Sequence, residues 1–155
     1  MVSTSGHDLI GDEAFQIIKN ELLTFARIVT PNIPEAERLT GISINNDDDM
    51  RRAAEAIKKL GAENVLIKGG HKRSSTNEAI DVLLNQSGEF YEFREEYFEV
   101  GEIHGSGCTL SAAIASYLSL GRTVEEAVAE AKRYISESIR KLEEMERIGH
   151  GARPI

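Results

Sequence analysis

The chain has 155 residues, of which 41% are hydrophobic and 28% charged, an ordinary globular composition with enough apolar material for one packed core. Its formal net charge of -8 argues against nucleic-acid binding that depends on phosphate contacts. One cysteine excludes an intramolecular disulfide and a multi-cysteine metal site. We see neither an apolar run long enough to span a membrane nor a signal-peptide pattern, so we expect no membrane partner and a single cytoplasmic domain over residues 1–155.

Hydrophobic periodicity, capping residues and breakers divide the chain into helices and strands. In chain order the predicted elements are a helix over 10–25, a short strand over 26–30, a helix over 34–39, a helix from Asn46 or Asp47 to Leu60, a buried strand over 64–68, a hairpin of 78–84 and 89–93, a helix over 108–120 and a capped helix from 123 to about 147. This order predicts an α/β fold with a mostly parallel sheet and an antiparallel edge hairpin.

The stretch from His104 to Ser111 reads His-Gly-Ser-Gly-Cys-Thr-Leu-Ser and directly precedes an apolar helix. Its glycines allow a tight turn, and the following helix directs the positive end of its dipole at the same space. The backbone N–H groups of Gly105, Ser106, Gly107 and Cys108 are therefore predicted to bind a phosphate, with the thiol beside it. In the alternative interpretation, the cysteine is a small buried residue that packs against a glycine turn.

Asn32 and Glu35 form an Asn-x-x-Glu pattern after a predicted strand, where open α/β sheets place their ligands. Amide and carboxylate oxygens suit Mg²⁺. The same pair can instead cap and begin a helix. The residues alone leave the metal and the capping interpretations evenly matched.

Lys68, Gly69 and Gly70 follow the buried strand over 64–68. A lysine at a strand end, followed by glycines that allow close backbone approach, can reach a phosphate. The alternative is an ordinary strand-end turn with a solvated lysine.

Five segments occur in an order and spacing that belong together. They are Met1–Gly6, Thr30–Glu37, Val65–His71, His104–Thr109 and Gly149–Gly151. Together they resemble the carboxyl-terminal part of the hydroxymethylpyrimidine/phosphomethylpyrimidine kinases of thiamine biosynthesis, within the ribokinase-like superfamily. The resemblance covers essentially all 155 residues, with Ser106 where threonine is usual.

The resemblance implies a ribokinase-like three-layer α/β/α fold whose amino-terminal part is absent. It also implies transfer of the γ-phosphate of ATP, with Mg²⁺, to hydroxymethylpyrimidine and then to its monophosphate. Cys108 would face the acceptor hydroxymethyl group, where most sugar kinases of the superfamily carry an aspartate base. The amides of residues 105–108 would hold the phosphoryl group.

The resemblance further assigns Asn32 and Glu35 to Mg²⁺, and Lys68, Gly69 and Gly70 to the nucleotide. Because the family's chains are longer, we expect this chain to form a homo-oligomer or to associate with a missing amino-terminal segment. Two alternatives stay open. One is a pyridoxal kinase of the same superfamily, and the other is a non-catalytic nucleotide-binding fragment that needs a partner chain.

Overall fold

The computed structural model describes residues 10–69, 78–96, 103–144 and 153–154. Gly70, and the sequence segments 1–6 and 149–151, lie outside the described residues. The elements are α1 (Asp12–Asn20), a 3-10 helix (Leu22–Phe25), α2 (Ile33–Thr40), α3 (Asp47–Lys59), β1 (Val65–Lys68), β2 (Glu78–Leu84), β3 (Phe90–Glu96), β4 (Ile103–His104), α4 (Ser106–Ser119), α5 (Val124–Glu144) and β5 (Arg153–Pro154).

The described residues fall into two compact units. Residues 10–69 and 80–93 form the first, and residues 78–79, 94–96, 103–144 and 153–154 form the second. The prediction of one domain over residues 1–155 stays a prediction.

The sheet of β1, β2 and β3 has these strands in that order, with β1 antiparallel to β2. In the register of this pair, Val65 lies opposite Leu84 and Lys68 opposite Asp81. On the other side of β1, the extended chain before α2 runs parallel to it and forms bridges from Val29 and Asn32. The predicted hairpin of 78–84 and 89–93 is confirmed by β2 and β3, which are neighbours in the sheet and are joined by a turn whose Asn85 N–H donates to the Glu89 carbonyl at 3.0 Å. The strand predicted over 26–30 is reduced to isolated bridges.

The first unit has its core where α2 and α3 pack against β1. α3 begins at the Asn46 cap, whose side chain accepts a hydrogen bond from the Asp49 N–H, and this settles which of the two candidate residues caps the helix. The core consists of the buried apolar residues Phe15, Leu23, Ala36, Leu39, Ile44, Met50, Ala53, Ala54, Ile57, Ala62, Val65, Ile67, Val82 and Leu84.

The prediction of one continuous helix over 10–25 is wrong. α1 ends at Asn20, and Glu21 leaves the helical region with φ -122° and ψ -51° before the 3-10 helix begins. In the 3-10 helix that follows, the Thr24 hydroxyl donates to the Glu21 carbonyl at 2.8 Å, and the Thr24 methyl group lies so close to Gly61 that a Cβ there would be 2.6 Å away. Phe25 is 85% exposed, so its helical spacing in the sequence reflects no buried face.

The second unit is built on the packing of α4 against α5. The capping box predicted for α5 is confirmed, because the Glu126 N–H donates to the Thr123 hydroxyl and the Thr123 N–H donates to the Glu126 carboxylate. The short strands β4 and β5 pair in parallel. Of the helices in the described ranges, none combines the length and the apolar character that crossing a membrane requires.

Candidate functional site

The carboxyl end of β1 brings two of the predicted site residues together. Asn32 ends the segment parallel to β1, and its bridge partner is Lys68, the last residue of β1. Both side chains are half-buried. Because parallel segments end at the same sheet edge, the two residues are neighbours in the backbone at the edge where α/β folds bind ligands.

Asn32 and Glu35 form a complete capping box at the start of α2. The Glu35 N–H donates to Asn32 Oδ1 at 2.8 Å, and the Asn32 N–H donates to Glu35 Oε2 at 3.0 Å. Pro34 within the first turn and Gly41 after the last complete the helix boundaries predicted from the sequence. The capping role is therefore present in the structure. It fixes both side chains at the sheet edge, and the magnesium role stays a prediction.

Gly69 leaves β1 in contact with the neighbouring strand. A Cβ at this position would lie 1.9 Å from the Ile80 carbonyl oxygen, so a larger residue does not fit without a backbone shift. The Gly69 N–H donates to Asp81 Oδ1 at 2.8 Å in a buried hydrogen bond. The sequence analysis missed Asp81, since a lone aspartate in the run Glu78–Leu84 gives no signal of its own.

The glycine-rich stretch forms the start of α4, as predicted. Gly105 is the N-cap residue with φ 91°, a left-handed conformation that favours glycine, and its carbonyl accepts from the Thr109 N–H at 2.8 Å. Gly105 has no side chain with which to cap the helix. The N–H groups of residues 105–108 are the four that have no acceptor within an α-helix, so they are donors suited to an anion.

Cys108 lies in the first turn of α4 and is exposed. Its exposure does not fit the alternative of a buried packing cysteine. Ser106 and Gly107 are half-buried beside it, and the Gly107 carbonyl accepts from the Ser111 hydroxyl at 3.0 Å. The thiol therefore stands next to the donors that the sequence assigns to a phosphoryl group.

The predicted site residues fall into two groups, each described within its own unit. Asn32, Glu35, Lys68 and Gly69 belong to the first unit, and residues 105–108 belong to the second. Among the residues that the structure describes, no three His, Cys, Asp or Glu side chains are arranged to hold a metal ion.

Comparison with known proteins now decides the family. The profile of the phosphomethylpyrimidine kinase family matches residues 1–155. The chain belongs to this family. The chain is 44% identical over 151 residues to the thiamine biosynthesis bifunctional protein ThiED of Geobacter sulfurreducens, a match that covers 97% of this chain and 30% of that protein.

Solved structures support the same assignment for this family member. The crystal structure of phosphomethylpyrimidine kinase from Clostridium difficile 630 aligns with a TM-score of 0.74 and 45% identity, over 90% of this chain and 54% of that one. An ADP complex of Bacillus subtilis pyridoxal kinase aligns with a TM-score of 0.79 and 35% identity, over 86% of this chain and 51% of that one. The predicted ribokinase-like α/β class is confirmed.

The family member spans about half the length of the bacterial hydroxymethylpyrimidine/phosphomethylpyrimidine kinases that it matches, between 52% and 55% of each. What those whole proteins do is therefore a proposal for this chain.

Proposed function

We propose that this chain is the phosphate- and nucleotide-handling part of a cytoplasmic kinase that transfers the γ-phosphate of ATP to hydroxymethylpyrimidine and to its monophosphate. The observation that carries the proposal is the start of α4, where the exposed Cys108 adjoins a glycine turn of uncapped amides. Membership in the phosphomethylpyrimidine kinase family supplies the reaction class.

The role of the glycine turn follows from the charge distribution in phosphoryl transfer. Negative charge is spread over the equatorial oxygens of the moving group, and catalysis consists mainly of positioning and stabilising that charge. Backbone N–H groups fixed by the Gly105 turn and the helix dipole do this without a side-chain charge. Gly105, Ser106 and Gly107, together with the amide of Cys108, are the residues we assign to this step.

The Cys108 thiol is assigned to the acceptor. In the first turn of α4 it is exposed and adjacent to the phosphoryl-binding amides. There the thiol can orient the acceptor hydroxyl, or its thiolate form can take the hydroxyl proton while the γ-phosphoryl group passes to the oxygen and ADP leaves.

The nucleotide and the metal are assigned to the edge of the first unit. Lys68 is half-buried at the end of β1, and Gly69 brings the backbone close to the neighbouring strand, a combination suited to phosphate oxygens. Gly70 keeps the same assignment as a prediction. Bound ADP in the Bacillus subtilis relative supports nucleotide use.

The donors at this edge fit Mg²⁺. Asn32 and Glu35 offer amide and carboxylate oxygens held rigidly by the capping box. Mg²⁺ keeps several waters in such sites and neutralises charge on nucleotide phosphates. We therefore assign these two residues to orienting the waters of a hydrated ion.

A pyridoxal acceptor is the second candidate, since pyridoxal kinases of two bacteria align well with the chain. The support is weaker, because the identity of 35% to the Bacillus subtilis enzyme lies below the 45% to the Clostridium difficile phosphomethylpyrimidine kinase. We propose that completing the acceptor pocket requires association, either with a second copy or with an amino-terminal segment.

The test is ADP release from Mg-ATP with hydroxymethylpyrimidine, with pyridoxal, and with no acceptor. We expect release that hydroxymethylpyrimidine stimulates more than pyridoxal does. Stimulation by pyridoxal alone would identify the second candidate. Nucleotide binding without ADP release under either acceptor would show that a second copy does not complete the acceptor pocket, and that the chain alone is a binding module.

A further inference from the structure

Asp81 is a buried carboxylate in a strand that is otherwise apolar at its centre. Only 5% of the residue is exposed, and its neighbours Ile80 and Val82 are buried as well. A carboxylate is retained in such surroundings only when it is hydrogen-bonded or paired. The burial of Asp81 therefore requires partners for its carboxylate within the fold.

One partner of the Asp81 carboxylate is the backbone of Gly69. The Gly69 N–H donates to Asp81 Oδ1 at 2.8 Å, with both groups buried. Asp81 is also the cross-strand partner of Lys68 in the antiparallel register. One side chain thus adjoins both described residues that we assign to the nucleotide.

The backbone at Gly69 is held from two directions. The carboxylate accepts its N–H, and the Ile80 carbonyl occupies the space where a Cβ would lie, 1.9 Å away. The chain therefore leaves β1 along one path, because a shift toward β2 is blocked and a shift away breaks the buried hydrogen bond. Displacements of about 1 Å in a binding group are sufficient to weaken phosphate positioning strongly.

We propose that Asp81 is a positioning residue that fixes the path of the chain at Gly69 and thereby aims Lys68 at the nucleotide phosphates. It does not itself contact the nucleotide. The inference rests on the proposed function, since it requires that the end of β1 binds a nucleotide.

Two substitutions separate geometry from charge. Asp81→Asn removes the charge and keeps an acceptor oxygen in place, whereas Asp81→Glu keeps the charge and displaces the acceptor by one methylene. The matched control is Asp49, a carboxylate that is 9% exposed in the same unit and accepts the Asn45 N–H at 3.0 Å. It lies at the start of α3 and has no assigned role in nucleotide binding.

The measurement is the Kd for Mg-ATP by calorimetry, well below each variant's Tm. We expect Asp81→Glu to raise Kd by at least about tenfold and Asp81→Asn to stay within about threefold of wild type, because the position of the acceptor is what matters. Asp49→Asn and Asp49→Glu are expected to lower Tm and leave Kd unchanged. If Asp81→Glu does not fold, Asp81→Ser, which withdraws the acceptor, is expected to raise Kd in the same way.

Each contrary result has a distinct meaning. Wild-type Kd in Asp81→Glu, or an Asp81→Asn defect as large as the glutamate defect, would overturn the positioning role and leave the proposed function intact. Absence of Mg-ATP binding by the wild-type chain would overturn the proposed function, and this inference with it.

Discussion

Cys108 is the residue on which the chemical interpretation depends most. It is exposed in the first turn of α4, beside amides that suit a phosphoryl group. A thiol at that place can act on the acceptor hydroxyl without binding the nucleotide itself. Its substitution should therefore separate turnover from nucleotide affinity.

Cys108→Ala is expected to lower kcat by about 100-fold to 10,000-fold, the usual contribution of a positioned acid–base group, with little change in nucleotide affinity. The measurements are kcat from steady-state kinetics at saturating acceptor, and the nucleotide Kd determined separately. Ser119→Ala is the control, because within the described residues its exposed hydroxyl makes a local hydrogen bond, to the Ser116 carbonyl at the far end of α4. An equal loss of turnover and affinity in Cys108→Ala would contradict the assigned role.

Gly69 lies in close contact with β2 at the end of β1, and the unfolding free energy of a Gly69 variant tests how rigid that contact is. Gly69→Ala places a methyl group against the Ile80 carbonyl, so we expect the free energy of unfolding to fall by about 1–3 kcal/mol or more. Gly11→Ser is the control, because no atom of the described residues lies within 4 Å of its Cβ position and serine is a good N-cap. The measurement is the urea unfolding midpoint of each variant. An unchanged midpoint for Gly69→Ala would show that the backbone there shifts at little cost in stability.

Two helices, α2 and α5, begin with capping boxes of the same design, and only the one at α2 lies at the proposed metal site. Asn32 with Glu35 begins α2 at the carboxyl edge of the sheet, and Thr123 with Glu126 begins α5. Glutamine preserves a capping box but has no charge. The same substitution in both boxes therefore isolates any role of the carboxylate beyond capping.

Glu35→Gln is expected to raise the Mg²⁺ concentration for half-maximal nucleotide binding severalfold, because the oriented waters lose a charged acceptor. The unfolding free energy should stay within about 0.5 kcal/mol of wild type, as expected when the box is retained. Metal titrations of Glu35→Gln and Glu126→Gln make the comparison. Equal titration curves for the two variants would leave Glu35 with a capping role alone.

The elements predicted correctly are those whose ends carry local signals. The caps at Asn46 and Thr123 and the turn before β3 can be recognised within a few residues of sequence. The helix predicted over 10–25 was wrong, because the chain leaves the helical region at Glu21 and no glycine or proline marks that position in the sequence. The 3-10 helix after it contacts Gly61 through Thr24, a residue 37 positions away, and helical spacing carries no signal of such a contact.

In the candidate site, too, the features formed by neighbouring residues could be predicted and those formed by distant residues could not. The start of α4 at Gly105 was predictable, since the turn and the helix adjoin in sequence. The hydrogen bond between Gly69 and Asp81 was not, because it joins neighbouring strands whose register the sequence does not specify. The capping box of α2 was predicted only as one of two interpretations, since the same pair of residues suits a cap and a metal.

For the whole molecule, the decisive facts are family membership and length. The family profile matches the whole chain, which spans about half of the bacterial kinases that it matches. Both groups of phosphate-handling residues predicted from the sequence are nevertheless within it. We therefore propose that this chain binds Mg-ATP by itself, whatever completes the acceptor pocket.

Calorimetry tests whether this chain binds Mg-ATP. Mg-ATP is titrated into the wild-type chain, the Gly107→Asp variant and the Thr123→Asp variant. Aspartate is compatible with the first turn of a helix, so both variants should fold, and each adds one negative charge at a helix start in the second unit. We expect saturable Mg-ATP binding by the wild type, its loss in Gly107→Asp and its retention in Thr123→Asp. No saturable binding by the wild type, or equal affinities in all three, would contradict it.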